Sequence, residues 1–154
     1  MNKIIIFLAT GFYAGKCPIA PGTAGTLVGV LLYLMLRHLS FSLYAITVLT
    51  FIILAIWVSG KAQDILSVED PPQVVIDEIA GFLVTMAFHP SGYLFIVTGF
   101  ILFRIFDIVK PFPIKWVDKK LLNGWGIVLD DVLAGVYANI LLWLFGVVLA
   151  IISV

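Results

Sequence analysis

Long apolar runs separated by short polar segments make up most of the chain. Residues 42–60 carry no charged side chain, and neither do residues 132–154. Each run is about 20 residues long, the length that an α-helix needs to cross about 30 Å of hydrocarbon. Residues 24–36 form a shorter apolar run, which can extend into the glycine-rich stretch before it. The pattern therefore predicts three long membrane-spanning helices.

The N-terminus and the middle of the chain need separate interpretations. Residues 2–11 predict a short helix at the membrane or packed on the bundle, because the apolar run after Lys3 is short for a signal peptide. Residues 79–104 are apolar but are interrupted by His-Pro-Ser-Gly at 89–92, which predicts a turn. This segment either crosses the membrane once as a kinked helix or folds back as a hairpin of two short helices.

The positions of the charged residues distinguish these two possibilities. All nine acidic residues lie between Asp64 and Asp131. A single crossing would divide them between two membrane faces, whereas a hairpin places all of them on one face. The hairpin also puts most lysines and arginines on that face, and such an excess marks the cytoplasmic side. We therefore predict a broken helical hairpin over residues 79–109 and a cytoplasmic acidic face.

The composition supports a membrane protein. The chain of 154 residues is 62% hydrophobic and only 12% charged, and its mean hydropathy is +1.17. A soluble domain would need more charge to cover its surface, so the apolar excess must face lipid. Zero formal net charge argues against a nucleic-acid partner, and a single cysteine excludes a disulfide framework. The predicted class is an all-α, polytopic membrane bundle that forms one domain over residues 1–154.

Two pairs of adjacent carboxylates lie at predicted helix ends, Asp77 with Glu78 and Asp130 with Asp131. Taken singly, Asp77 and Asp130 can be interpreted as helix N-caps. Neighbouring anions repel each other unless a cation lies between them, however. Carboxylate oxygens that converge from several elements are the ligands that Mg²⁺ requires. The two pairs together therefore predict a divalent-cation site on this face.

Two further segments carry candidate chemistry. Arg104, Asp107 and Lys110 are spaced three residues apart near a predicted helix end, which is also the spacing of plain surface ion pairs. Residues 15–26 combine glycines and hydroxyl groups just before an apolar helix, whose N-terminal N–H groups can bind an anion. An ordinary turn is the simpler interpretation of that segment, but Lys16 favours an anion site.

Four segments occur together in an order and spacing typical of one known family. They are GKCPIAPGTAGT at 15–26, VVIDEIAG at 74–81, FRIFDIVKPFPI at 103–114 and GWGIVLDDVLAG at 124–135. In these segments the chain resembles the phosphatidylglycerophosphatase A family. The resemblance implies Mg²⁺-dependent hydrolysis of phosphatidylglycerol phosphate to phosphatidylglycerol at the cytoplasmic face of a bacterial inner membrane. The lipid substrate and the bilayer are the partners it implies, and it leaves the oligomeric state open.

The resemblance also implies roles for individual residues. The metal-binding and catalytic carboxylates would be Asp77, Glu78, Asp130 and Asp131. Further candidates for metal ligands, or for groups that orient them, would be Asp64, Asp70 and Asp107. The phosphate oxygens would be held by Lys16, Thr23, Thr26, Arg104 and Lys110. The chain departs from the family pattern at Asn123 and Val128, where glycine and methionine are common.

Two alternatives to this phosphatase stay open. A small divalent-cation transporter would also gather carboxylates, but its ionisable residues should continue through the bilayer. In residues 42–60 and 132–154, only Asn139 is a bulky polar residue. The other alternative is a phosphatase for a different lipid phosphate, which would share the same carboxylates.

Overall fold

The computed structural model describes residues 2–89, 92–121 and 123–152. Within these ranges the chain forms α-helices and one 3₁₀ turn at Ala14–Lys16, and it contains no strand. The helices are α1 (Asn2–Ala9), α2 (Pro21–Leu36), α3 (Phe41–Leu66), α4 (Ile76–Thr85), α5 (Tyr93–Val109), α6 (Ile114–Lys120) and α7 (Asn123–Ile152). The predicted all-α class is confirmed. In the turn predicted at 89–92, Pro90 and Ser91 lie outside the described residues.

In the described part of the chain, two helices, α3 and α7, are long and apolar enough to cross a membrane. Only 22% of the apolar stretch of α3 and 17% of that of α7 is buried in the protein, whereas the core helix of a soluble protein is mostly buried. These helices therefore indicate an association with the membrane. The third predicted span, α2, has 16 residues and is about 24 Å long. The prediction of three long spans is thus not confirmed.

The chain folds back on itself between α4 and α5. Glu78 lies in the first turn of α4 and Arg104 near the end of α5, yet Arg104 Nη1 is 3.9 Å from Glu78 Oε1. One continuous helix would separate these residues by about 39 Å along its axis. The two helices are therefore antiparallel, and a single kinked helix over residues 79–104 is excluded.

Several helix boundaries differ from the predicted ones, and the N-cap interpretations were wrong. Helix α7 begins at Asn123, so Asp130 lies two turns inside it. The N-cap position of α4 is Val75, so Asp77 belongs to the first helical turn. Helix α3 continues past Asp64. Apolar runs mark only the lipid-facing part of a helix, and these helices extend further because their ends pack against other parts of the protein.

Glycines allow α7 to approach its neighbours closely. A Cβ atom added to Gly135 would collide with the carbonyl oxygen of Gly81 on α4, and one added to Gly124 would collide with the carbonyl oxygen of Ile56 on α3. A Cβ atom on Gly81 would lie 2.6 Å from the carbonyl oxygen of Asp131. The close crossing of α4 and α7 therefore places the acidic residues of the two helices next to each other.

We expect the Gly135→Ala variant to be destabilised by about 1–3 kcal/mol, because rigid backbone leaves no room for the added methyl group. Gly146 on the same helix provides the matched control. A Cβ atom there meets only the Phe95 ring, at 3.3 Å, and alanine gains about 1 kcal/mol in helix propensity over glycine. Thermal unfolding in detergent checks both variants. Equal melting temperatures for the two variants would contradict the close crossing.

Candidate active site

A cavity of about 330 Å³ lies at the end of the bundle where α2 and α4 begin and α5 ends. Its walls come from the start of α2, the loop before α4, α4 itself, α5 and α7. The charged residues that line it are Asp70, Asp77, Glu78, Arg104, Asp107, Lys110, Asp130 and Asp131. Residues far apart in the sequence thus form one strongly polar site.

Three carboxylates form the centre of this site. One oxygen each from Asp77, Glu78 and Asp131 lies within 4.8 Å of the other two. Burial raises the pKa of Asp77 well above its usual range, and the charges of Glu78 and Asp131 raise it further. Burial also raises the pKa of Glu78 to about 7, although the Asp77 side chain and the Arg104 guanidinium lower it. Three ionised carboxylates this close require a compensating positive charge.

This centre has the properties of a cation-binding site. Oδ1 of Asp77 and Oε2 of Glu78 are buried and have no hydrogen-bond partner in the described part of the chain. Such oxygens are costly to bury unless a cation or a donor reaches them. Carboxylate oxygens are also the ligands that hard divalent cations such as Mg²⁺ prefer. Asp77, Glu78 and Asp131 can therefore hold a divalent cation.

Asp130 has a different neighbour from the other three predicted carboxylates. Nζ of Lys110 lies 2.5 Å from Asp130 Oδ2 and 3.2 Å from Asp118 Oδ1. Burial lowers the pKa of Lys110, but the two carboxylates outweigh this effect and raise it above its usual range. Lys110 therefore bridges α6 and α7 as a cation. Its other carboxylate partner, Asp118, was missed by the sequence analysis.

Arg104 is held next to the acidic centre by Asp107. Its Nη1 lies 2.6 Å from Asp107 Oδ2, and its side chain is only 18% exposed, so this is not a plain surface ion pair. Nε of Arg104 is buried and has no hydrogen-bond partner among the described residues. A Cβ atom on Gly22 would lie 2.8 Å from Arg104 Nη1. The first turn of α2 therefore lies directly beside the guanidinium group.

The structure does not bring the other predicted phosphate-binding residues to the cavity wall. The ammonium group of Lys16 lies 4.4 Å from the centre of the Tyr13 ring. The Thr26 hydroxyl donates to the carbonyl oxygen of Gly22, so it is used within its own helix. Neither residue lines the cavity, and neither does Thr23. The segment 15–26 contributes its backbone at the start of α2 rather than these side chains.

The three further acidic candidates occupy different places. Asp64 is exposed on α3, where its Oδ2 lies 3.5 Å from Nζ of Lys61, and it does not line the cavity. Asp107 lines the cavity and is held by Arg104. Asp70 also lines it, and burial raises the pKa of its carboxyl group even though Lys110 lowers it. Asp70 and Asp107 are thus at the site, and Asp64 is not.

The fold and the site define an all-helical, membrane-associated protein in which clustered carboxylates lie beside a largely buried arginine. Comparison with known families gives a narrower assignment. The sequence pattern of the family described as Phosphatidylglycerophosphatase A matches residues 7–146. The chain therefore belongs to the phosphatidylglycerophosphatase A family, which confirms the resemblance seen in its sequence.

Two named relatives agree with this assignment, and a third carries a different name. The chain is 40% identical over 141 residues to phosphatidylglycerophosphatase A of Haemophilus influenzae, covering 90% of this chain and 86% of the relative. It is 34% identical over 140 residues to that of Escherichia coli K12, covering 90% and 81%. A Bacteroides thetaiotaomicron protein named "Putative phosphatidylinositol-3-phosphatase" is 36% identical over 153 residues, covering 92% and 95%. No solved structure matches the chain. The family is one of phosphatases, enzymes that hydrolyse phosphate monoesters.

Proposed function

We propose that the protein hydrolyses the terminal phosphate monoester of phosphatidylglycerol phosphate. Water supplies the oxygen that joins phosphorus, the ester bond breaks, and phosphatidylglycerol keeps the hydroxyl group. The observation that carries this proposal is the cavity itself, in which buried carboxylates face Arg104 at one end of apolar helices. The two relatives named phosphatidylglycerophosphatase A support this choice of substrate.

The acidic centre would hold Mg²⁺ through Asp77, Glu78 and Asp131. When bound, Mg²⁺ supplies positive charge that offsets the phosphate oxygens and polarises the reacting group. Six acidic and two basic side chains line the cavity, so an anionic phosphate is repelled while most of these carboxylates are ionised. Dependence on a divalent cation follows from this excess of negative charge.

Arg104 would bind the phosphate oxygens. A guanidinium group offers several N–H donors in a planar arrangement that matches two phosphate oxygens at once. Asp107 fixes its orientation through the 2.6 Å contact to Nη1. Arg104 would then stabilise the charge that spreads over the phosphoryl oxygens in the transition state.

Asp130 would accept the proton of the attacking water as a general base. Its Oδ2 is held by Lys110, whereas its Oδ1 is buried, has no hydrogen-bond partner among the described residues, and belongs to a side chain of the cavity wall. Oδ1 is therefore available to accept a proton, and the positive charge of Lys110 beside Oδ2 favours the ionised carboxylate that this role requires.

The proposed membrane arrangement is multi-pass, with α3 and α7 as full spans, α2 as a short span, and α4 with α5 as a hairpin that returns to the same face. Most of the basic residues lie at the end of the bundle that contains the cavity. Arg37 lies at the other end, between α2 and α3. An excess of lysine and arginine favours a cytoplasmic orientation of the site in a bacterial inner membrane. The basic residues on this face are Lys16, Lys61, Arg104, Lys110, Lys115, Lys119 and Lys120.

A cation transporter is less well supported by the structure. The one bulky polar side chain in the apolar part of α7 belongs to Asn139, and its amide donates to the backbone carbonyl oxygens of Val84, Thr85 and Ala87. The Asn139 amide therefore provides hydrogen bonds to the backbone carbonyl groups at the end of α4 and does not line an ion path. A second phosphatase activity, on an inositol lipid phosphate, is suggested by the name of the Bacteroides relative.

Phosphate release from defined lipids tests the proposal. Purified protein in vesicles receives phosphatidylglycerol phosphate, phosphatidylinositol 3-phosphate or phosphatidic acid, with Mg²⁺ or with a chelator. We expect Mg²⁺-dependent release, fastest from phosphatidylglycerol phosphate. Faster release from phosphatidylinositol 3-phosphate would support the second candidate. Undiminished release in the chelator would refute the role of the metal, and no release from any lipid would refute the proposed function.

A further inference from the structure

The helices around the cavity differ greatly in length. Helices α2 and α5 have 16 and 17 residues and are about 24 and 26 Å long, whereas α3 and α7 have 26 and 30 residues and are about 39 and 45 Å long. The cavity lies where the two short helices meet, at the start of α2 and the end of α5. One side of the bundle is therefore too short to match a bilayer of about 30 Å, and short helices thin the lipid beside them.

The site also lies below the level at which α3 becomes polar. Gly60 is the last residue of the uncharged stretch of α3, and it packs against Gly124 near the start of α7. Asp130 follows Gly124 by six residues and is therefore about 9 Å further along α7, towards the apolar part of the bundle. A substrate that approached from water would have to reach down to this depth.

The cavity is bordered by a loop on one side and by exposed apolar surface at its flank. Asp70, Pro71 and Pro72 line it from the loop that joins α3 to α4. Ile108 also lines it and is nevertheless 72% exposed. Ile108 continues an exposed apolar strip along α5, at the helical spacing of three and four residues, formed by Leu94, Val97, Ile101 and Ile105.

We propose that the lipid enters the cavity sideways from the bilayer, between the start of α2 and the end of α5, with an acyl chain along the exposed strip of α5. This inference rests on the proposed function, because it assumes a lipid phosphate as substrate. We infer a lipid as the ligand because the apolar strip of α5 runs directly into the polar cavity. A lipid phosphate can satisfy both surfaces at once, since its headgroup is anionic and its chain is apolar.

Photocrosslinking tests this route without requiring turnover. A benzophenone amino acid replaces Ile108 in one variant and Ile53 in another. Ile53 is a similarly exposed isoleucine on α3, 69% against 72%, and it does not line this cavity. Both variants also carry Asp130→Asn, which removes the proposed proton acceptor and prevents turnover, and the vesicles contain radiolabelled phosphatidylglycerol phosphate and Mg²⁺. We expect labelling at position 108 to exceed that at position 53 at least fivefold, and unlabelled substrate to compete better than unlabelled phosphatidylglycerol.

Equal labelling at the two positions, or equal competition by both unlabelled lipids, would overturn the proposed route. A matched pair of polar variants gives a second measurement. We expect Ile108→Gln to raise the surface concentration of lipid needed for half-maximal rate about tenfold, and Ile53→Gln to leave it unchanged. The same shift in both variants would also overturn the route. Failure of the proposed function itself would instead appear as no phosphate release by the unmodified protein.

Discussion

Replacing either Asp77 or Asp131 by asparagine should reduce phosphatase activity by more than about a hundredfold and weaken Mg²⁺ binding in parallel. Loss of groups that only support metal ligands costs about 10–100-fold, so the loss of a ligand itself should cost more. Asparagine has nearly the same shape as aspartate, so packing is retained and the charge is what changes. Phosphate release and Mg²⁺ titration by calorimetry measure the two effects.

Asp64→Asn is the matched control for these variants. Asp64 is also an acidic residue on a long helix, but it is exposed, pairs with Lys61 and lies outside the cavity. We expect its activity and Mg²⁺ affinity to equal those of the unmodified protein. Full activity in both Asp77→Asn and Asp131→Asn, or an equal loss in Asp64→Asn, would show that the acidic centre is not the metal site.

The broad organisation of the protein could be predicted because it depends on simple physical requirements. Apolar runs must face lipid, which identified the cores of α3 and α7. Charged residues are costly in hydrocarbon, so the one-sided distribution of carboxylates required the chain to turn back before Arg104. The structure shows this fold-back in the contact of Arg104 with Glu78.

The partners of individual side chains could not be predicted in the same way. Asp130 and Asp131 are adjacent in the sequence, yet Asp131 joins the acidic centre and Asp130 pairs with Lys110. Successive residues on a helix point about 100° apart, so adjacent carboxylates reach different neighbours. The position of Asp118 depends on the return of α6 towards the site, for which no sequence motif gives a signal.

The side chains of Lys16 and Thr26 lie away from the cavity wall for a related reason. A lysine or hydroxyl group near a glycine-rich segment suggests an anion site, but the direction of each side chain is decided locally. The Lys16 ammonium has an aromatic neighbour at Tyr13, and Thr26 has a backbone acceptor one helical turn away. Glycine at position 22 proved more informative, because its lack of a side chain lets α2 approach Arg104.

Replacing Lys110 by methionine should destabilise the protein by about 2–3 kcal/mol. Removing one partner of a buried ion pair costs about 3–5 kcal/mol, because the other charge stays buried and unpaired. We expect a smaller value here because the Lys110 side chain is 26% exposed, whereas that of Asp130 is 5% exposed. Unfolding in detergent measures the change. Lys61→Met, which breaks the exposed pair with Asp64, should change stability by no more than about 1 kcal/mol.

The double variant Lys110→Met with Asp130→Asn distinguishes the bridging role of Lys110 from the phosphate-binding role that the sequence suggested. If Lys110 mainly neutralises Asp130, removal of that carboxylate should restore more than half of the lost stability, although activity stays low without Asp130. If Lys110 binds phosphate instead, the single variant should unfold like the unmodified protein and show a raised KM. That second result would contradict the bridge. Unchanged stability in Lys110→Met would mean that Lys110 does not stabilise the buried carboxylate of Asp130.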